Sequence, residues 1–181
     1  MDLRVKNNRL IMFLKARVKD LFIIVSVLLV IELWSSRHMR SVPKVAQGSN
    51  FSVESLQPKN ESLSLWQKGS YTLIYAFAPW CKVCSASASN INRIANPQKG
   101  IHTLALALSW SSREAVLDFV EQARLEAPVL LGEQELANIL NVESFPSYLI
   151  VGPNGDIIWA WSGYTTEPGI WLRLQVSKLL G

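Results

Sequence analysis

Short apolar runs alternate along this chain with stretches whose apolar residues recur at helical spacing. Tyr71–Ala78 (YTLIYAFA) is compact, apolar and rich in strand formers, which predicts a buried strand. Cys81–Ala95 follows as a helix, small-residued in its first half and carrying Ile91 and Ile94 on one face. Pro97 and Gly100 punctuate its end. Ile101–Leu108 (IHTLALAL) predicts a second buried strand. Ser111–Leu125 predicts a helix with Ser111 as cap, Glu114 three residues later, and Leu117, Phe119 and Val120 among its apolar positions. Val129–Leu131 is a short strand and Glu133–Leu140 a short helix. Ser147–Val151 and Asp156–Trp161 are strands joined by Gly152-Pro153-Asn154-Gly155, a hairpin turn. Glu167–Leu180 is an amphipathic helix with Pro168 in its first turn. This order of parts predicts an α/β domain with a central mixed sheet flanked by helices.

Upstream lies a different pattern. Leu21 to Trp34 (LFIIVSVLLVIELW) is apolar apart from Ser26 and Glu32. Residues 21–36 fall a little short of the roughly 20 needed to span a bilayer. Lys19 and Arg37 at the two ends can snorkel and make a short span feasible. A cleaved signal peptide is the second reading, but no A-x-A-like site follows closely, and Ala46-Gln47-Gly48 lies too far downstream. A buried core helix is the third. The preferred organisation is a basic cytoplasmic tail over 1–20, a transmembrane signal anchor over 21–36, a linker over 37–50 and a folded domain over 51–181.

Charge supports that division. The chain carries a net +4, yet residues 1–20 alone hold six basic and two acidic residues, so the remainder is neutral. A nucleic-acid binder should carry its basic patch on the folded domain, so no nucleic-acid partner is expected. The basic tail stays cytoplasmic by the positive-inside rule, which puts the folded domain across the membrane.

The chemistry sits at Trp80-Cys81-Lys82-Val83-Cys84, where a strand gives way to a helix. A CxxC in that context reads as a redox pair. At a helix N-terminus the Cys81 thiolate meets unpaired backbone N–H groups and the positive end of the macrodipole, which favour it as attacking sulfur. Cys84, three residues on, is within bridging reach and can resolve a mixed disulfide. Lys82 adds a nearby positive charge. The plainer readings are a zinc site and a structural bridge. Zinc usually takes four ligands, and the chain has only two cysteines and two histidines. A bridge closing so short a loop stabilises little. No metal and no cofactor beyond the Cys81–Cys84 disulfide are expected.

YAFAPWCKVC resembles the strand–WCxxC–helix site of the thioredoxin superfamily. Ser144-Phe145-Pro146-Ser147, before the GPNGDII hairpin, resembles its cis-proline segment. The run from Ser112 to Gly163 is similar to the membrane-anchored TlpA/ResA-like redoxins of bacteria, and the copper-sensitivity-suppressor type is a plausible closer relative. The resemblance implies a thioredoxin-like fold with an inserted strand–helix. It implies Cys81 and Cys84 as catalytic residues, with Trp80, Phe145 and a cis Pro146 holding a protein thiol or disulfide substrate. It places the domain in the periplasm, anchored singly in the inner membrane, and implies a protein-disulfide reductase recharged by a membrane donor of the DsbD type. Lys82 and Val83 tune the potential. The alternatives are a dithiol oxidase or isomerase, or a non-catalytic module that binds a client or Cu(I). Two departures stand out. Tyr75 occupies the position of thioredoxin's buried acid, and Ser87 that of a glutamate in cytochrome-maturation relatives. Proton transfer to Cys84 then falls to water, Tyr75 or a residue brought in by the fold.

Blander readings suit the rest. Trp159, Trp161 and Trp171 are expected to pack on the core or a sheet face. Gly163 either permits a close approach at the site or ends a strand.

Overall fold

The computed structural model describes residues 52–57, 62–94 and 100–180, together with 19, 20, 23 and 26. The chain divides into two units, Met1–His38 and Met39–Gly181. In the first, Lys19, Asp20, Ile23 and Ser26 are helical. Apart from these four residues, the expected tail, anchor and linker lie outside the described residues. Among the described residues no helix is long and apolar enough to cross a membrane.

The second unit holds one seven-stranded sheet. Its strands are β1 (Ser52–Ser55), β2 (Ser62–Ser64), β3 (Tyr71–Phe77), β4 (Ile101–Ala107), β5 (Val129–Leu131), β6 (Ser147–Val151) and β7 (Ile157–Ser162). The described helices are α1 (Lys82–Asn92), α2 (Arg113–Ala123), α3 (Gln134–Ile139) and α4 (Glu167–Leu180). The spatial order is β2-β1-β5-β4-β3-β6-β7. β3, β4 and β5 run parallel, and the other pairs are antiparallel. The expected mixed sheet is therefore present.

Strand alternation separates two cores. On β3, Leu73, Tyr75 and Phe77 enter one cluster while Ile74 and Ala76 enter the other. On β6, Tyr148 and Ile150 face the first, Leu149 and Val151 the second. The first face is covered by Ala88 and Ile91 of α1, Val116 and Phe119 of α2, and Ile170 and Leu174 of α4. The second is covered by Leu136 and Ala137 of α3 with Leu140 and Val142 after it. Both faces being covered explains why the central strands read as unbroken apolar runs.

Several expectations are corrected. Ser112, not Ser111, caps α2: its backbone is extended and its hydroxyl accepts from the Ala115 N–H. The cap lies one residue later because it is Ser112 whose extended backbone places its hydroxyl against the free Ala115 N–H of the first turn. β1 and β2 were not anticipated, since SVES and SLS carry no alternation strong enough to mark them. Trp171 does not pack inward; it is 53% exposed on α4, while Trp161 is buried and Trp159 half-buried. The hairpin turn is as expected: Gly155 adopts φ 85°, and the Gly152 N–H donates to the Asp156 carbonyl at 2.8 Å.

Gly155 is held twice, by its positive φ and by the Trp66 ring, which lies 2.9 Å from where a Cβ would stand. Gly155→Ala should lower stability by about 1–3 kcal/mol, read as a lowered midpoint in urea with unchanged slope. An unchanged midpoint would contradict the strain assigned to this turn.

Candidate active site

The site forms where β3 ends. Ala78, Pro79 and Trp80 turn the chain, and the Cys81 N–H closes on the Ala78 carbonyl at 3.0 Å. Cys81 is then the N-cap of α1, with extended backbone and a side chain that accepts from the Cys84 N–H at 3.1 Å. That donor faces the sulfur and favours a thiolate once the bridge is opened. Cys81 and Cys84 are disulfide-bonded, with Cα atoms 5.2 Å apart. Cys81 keeps 7% exposure and Cys84 none. The two sulfurs are thus unequal, and only one is open to attack.

Why α1 starts here follows from its own face. Cys84, Ser87, Ala88 and Ile91 are buried at helical spacing. Ser87 and Ala88 are small enough to bring the helix close onto Tyr75 of the sheet beneath. The helix has no acidic residue in its first turn, so nothing there opposes a thiolate at Cys81. Lys82 and Val83 are exposed, Val83 to 47%.

Trp80, Phe145 and Pro146 gather beside Cys81. Trp80 is 67% exposed, donates from Nε1 to the Ser109 carbonyl at 3.0 Å, and meets Phe145 edge-on at 5.8 Å between centroids. The Phe145–Pro146 bond is cis. Ala76 pairs with Ser147 across the β3–β6 ladder, so Pro146 lies at the level of Phe77, at the sheet end that bears the cysteines. Gly163, at φ 91°, donates its N–H to the Pro146 carbonyl at 2.8 Å. Of its two readings, the structure favours the strand end: Gly163 directly follows β7 at positive φ, and a Cβ there would meet nothing within 4 Å.

Tyr75 and Ser87, the two positions that depart from the family acids, meet under Cys84. The Tyr75 hydroxyl donates to the Cys84 carbonyl at 2.7 Å and lies 3.2 Å from the Ser87 hydroxyl. Ser87 also donates to the Val83 and Cys84 carbonyls, at 3.0 and 3.1 Å. Tyr148, opposite Tyr75 in register, stacks on Trp161 at 4.9 Å, and its hydroxyl is buried. Burial pushes the Tyr75 and Tyr148 phenols above their ordinary range, despite lowering contributions from Ser87. Tyr75 is therefore a fixed donor to the Cys84 backbone at neutral pH. The Asp and Glu side chains among the described residues all stand outside the buried set, so no carboxylate backs Cys84. Sequence reasoning missed Tyr148, Ser109 and the Ser87 contact, because each is assembled across strands. Among the described residues no cluster of three or more His, Cys, Asp or Glu is placed to hold a metal.

The architecture is a thioredoxin-like fold, and solved structures share it. A protein described as a candidate thiol:disulfide interchange protein DsbE from Chlorobium tepidum superposes with TM-score 0.65 at 21% identity, covering 78% of this chain and all of that one. A secreted disulfide oxidoreductase of Mycobacterium tuberculosis, homologous to Escherichia coli DsbE, gives 0.59 at 16% identity, covering 70% and 96%. The exposed lipoprotein thioredoxin of Streptococcus pneumoniae gives 0.62 at 19%, covering 71% and 99%. The chain belongs to the AhpC/TSA family, whose model matches residues 46–160. No curated protein matches it significantly.

Tyr75→Phe deletes a buried donor to the Cys84 carbonyl and should cost about 1 kcal/mol in denaturant unfolding. A raised phenol pKa means the folded state holds its proton more tightly than the unfolded chain. That stability is complete below the unfolded value of about 10 and is lost as pH climbs through the folded value. An alkaline titration followed by phenolate absorbance should show two of the four tyrosines ionising late. Release of all four near pH 10 from folded protein would contradict the assignment.

Proposed function

We propose that this protein is an extracytoplasmic thiol–disulfide oxidoreductase that reduces protein disulfides through Cys81 and Cys84. The observation that carries the reading is the asymmetry of the pair: Cys81 at the helix cap with residual exposure, Cys84 fully buried behind it. The accessible sulfur attacks, and the buried one resolves. In the reducing direction the Cys81 thiolate attacks a substrate disulfide, and one substrate thiolate leaves and takes a proton. Cys84 then gives up its proton and attacks Cys81, which releases the second substrate thiolate and closes the Cys81–Cys84 bridge. Trp80 offers an exposed apolar platform, and the backbone at Phe145 and Pro146 offers an edge for an extended substrate segment.

The names of the structural relatives support this class and its compartment: an interchange protein, a secreted oxidoreductase and an exposed lipoprotein. The basic segment before the apolar run of residues 21–34 supports a single-pass anchor with the redox domain outside. Reducing activity in an oxidising compartment needs a supply of electrons, and a membrane donor of the DsbD type fits that need. Lys82 and Val83, between the sulfurs, tune the potential.

Equilibration of the pair with glutathione buffers tests direction. A potential of roughly −200 mV or lower is expected for a reductase. A value near about −120 mV would make it an oxidant and reverse the proposed direction. Cys81→Ser should abolish turnover of a protein disulfide, while Cys84→Ser should accumulate a mixed disulfide at Cys81. Turnover that survives Cys81→Ser would sink the assignment.

A further inference from the structure

Next to Cys81 lies a cavity of about 410 Å³, open between α1 and α2. Neither Phe145 nor Pro146 lines it, so it is separate from the edge that suits a substrate backbone. Its volume falls within the roughly 300–1,000 Å³ typical of small-molecule sites. Cys81, Pro79 and Trp80 form one end, and Ala115 and Phe119 supply an apolar wall. Two opposite charges enter it from different helices: Lys82 from α1 and Asp118 from α2. They form no ion pair with each other; the ion pairs among the described residues are Arg93–Glu167 and Arg113–Glu54. Ser85 and Gln122, also on its rim, bond through their side chains to no other described residue.

An amino-acid head group satisfies both charges, because its ammonium and carboxylate are one carbon apart. The N-terminus of α1 beside Lys82 strengthens the cationic side. A sulfur carried one methylene beyond the Cα of that head group shares the cavity with Cys81, which lines its end.

We propose that this cavity is a subsite for a zwitterionic low-molecular-weight disulfide of the cystine class. Lys82 meets the carboxylate, Asp118 the ammonium, and the sulfur lies at Cys81. The assignment rests on the reading of Cys81 as the exchanging sulfur. The Cys81 thiolate attacks one sulfur of cystine; the S–S bond breaks, and one cysteine leaves as thiolate and takes a proton from water. Cys84 loses its proton and attacks Cys81, closing the protein disulfide. The second cysteine leaves as thiolate and takes up the proton that Cys84 released. The protein loses two electrons, and cystine becomes two cysteines.

Reduced full-length protein is mixed with cystine, cystamine or 2-hydroxyethyl disulfide, and free thiols are counted after acid quench. The variant-to-wild-type rate ratio for each disulfide cancels its intrinsic reactivity. Asp118→Asn should slow cystine and cystamine about three- to fivefold, as for an exposed ion pair, and leave 2-hydroxyethyl disulfide unchanged. Lys82→Gln should slow cystine more than 2-hydroxyethyl disulfide, whose ratio reports any general effect on Cys81, and should not slow cystamine beyond that effect. Equal ratios for all three disulfides in both variants would overturn the subsite. So would an Asp118→Asn effect confined to a peptide disulfide flanked by lysine, which would make the cavity a peptide side-chain pocket. Wild-type protein inert even to 2-hydroxyethyl disulfide would instead condemn the exchange reading on which the subsite depends.

Discussion

A helix cannot begin without something to meet its first N–H groups, and α1 begins on a sulfur. Cys81 takes the place usually held by a serine, threonine or aspartate, and its Sγ accepts from the Cys84 N–H. The cap that starts the helix, four residues past the end of β3, is therefore itself one half of the disulfide. Everything else at the site acts on that junction. The small Ser87 and Ala88 let α1 lie close to the sheet. Tyr75 reaches up from β3 to the Cys84 carbonyl and fixes the height of the first turn. The Gly163 N–H on the Pro146 carbonyl joins the end of β7 to the start of β6 at the same rim.

The underside of this junction is neutral. Tyr75 and Ser87 stand there in contact, as a pair. Each hydroxyl also has backbone carbonyls of α1 within reach, Cys84 for Tyr75 and Val83 and Cys84 for Ser87. Together they satisfy each other and the helix backbone. The aromatic layer continues outward through Tyr148 and Trp161. Cys84, with no exposure, is set over neutral hydroxyls and rings, and among the described residues no buried Asp or Glu stands beneath it.

Much of this was legible in the sequence where the signal is local. The runs YTLIYAFA and IHTLALAL mark β3 and β4 because those strands are buried on both faces. WCKVC and FPS marked the site because each lies at an element boundary. What depends on pairing was not legible. SVES and SLS become strands only because each has an edge to pair with, Ser52 opposite Ser64 and Glu54 opposite Leu131. Ser111 and Ser112 are equivalent by composition, and only the backbone that sets the Ser112 hydroxyl against the Ala115 N–H distinguishes them. Trp171 reads as a core residue by type, yet Ile170 and Leu174 fill the inner face of α4 and leave it outside. Tyr75 was noticed as a departure. That its hydroxyl spans to Cys84 follows from the way α1 crosses the sheet, which no local pattern records.

Arg113 gives the domain a mechanical property. It forms an ion pair with Glu54 and donates to the carbonyls of Ser55 and Leu56, so the first turn of α2 is riveted to the first strand. β1 itself meets β5 through two residue pairs, a short seam that would peel under load. Any pull entering the domain through residue 52 is therefore shared with α2, the helix that walls the cavity beside Cys81. One guanidinium thus ties β1 to the helix that walls that cleft.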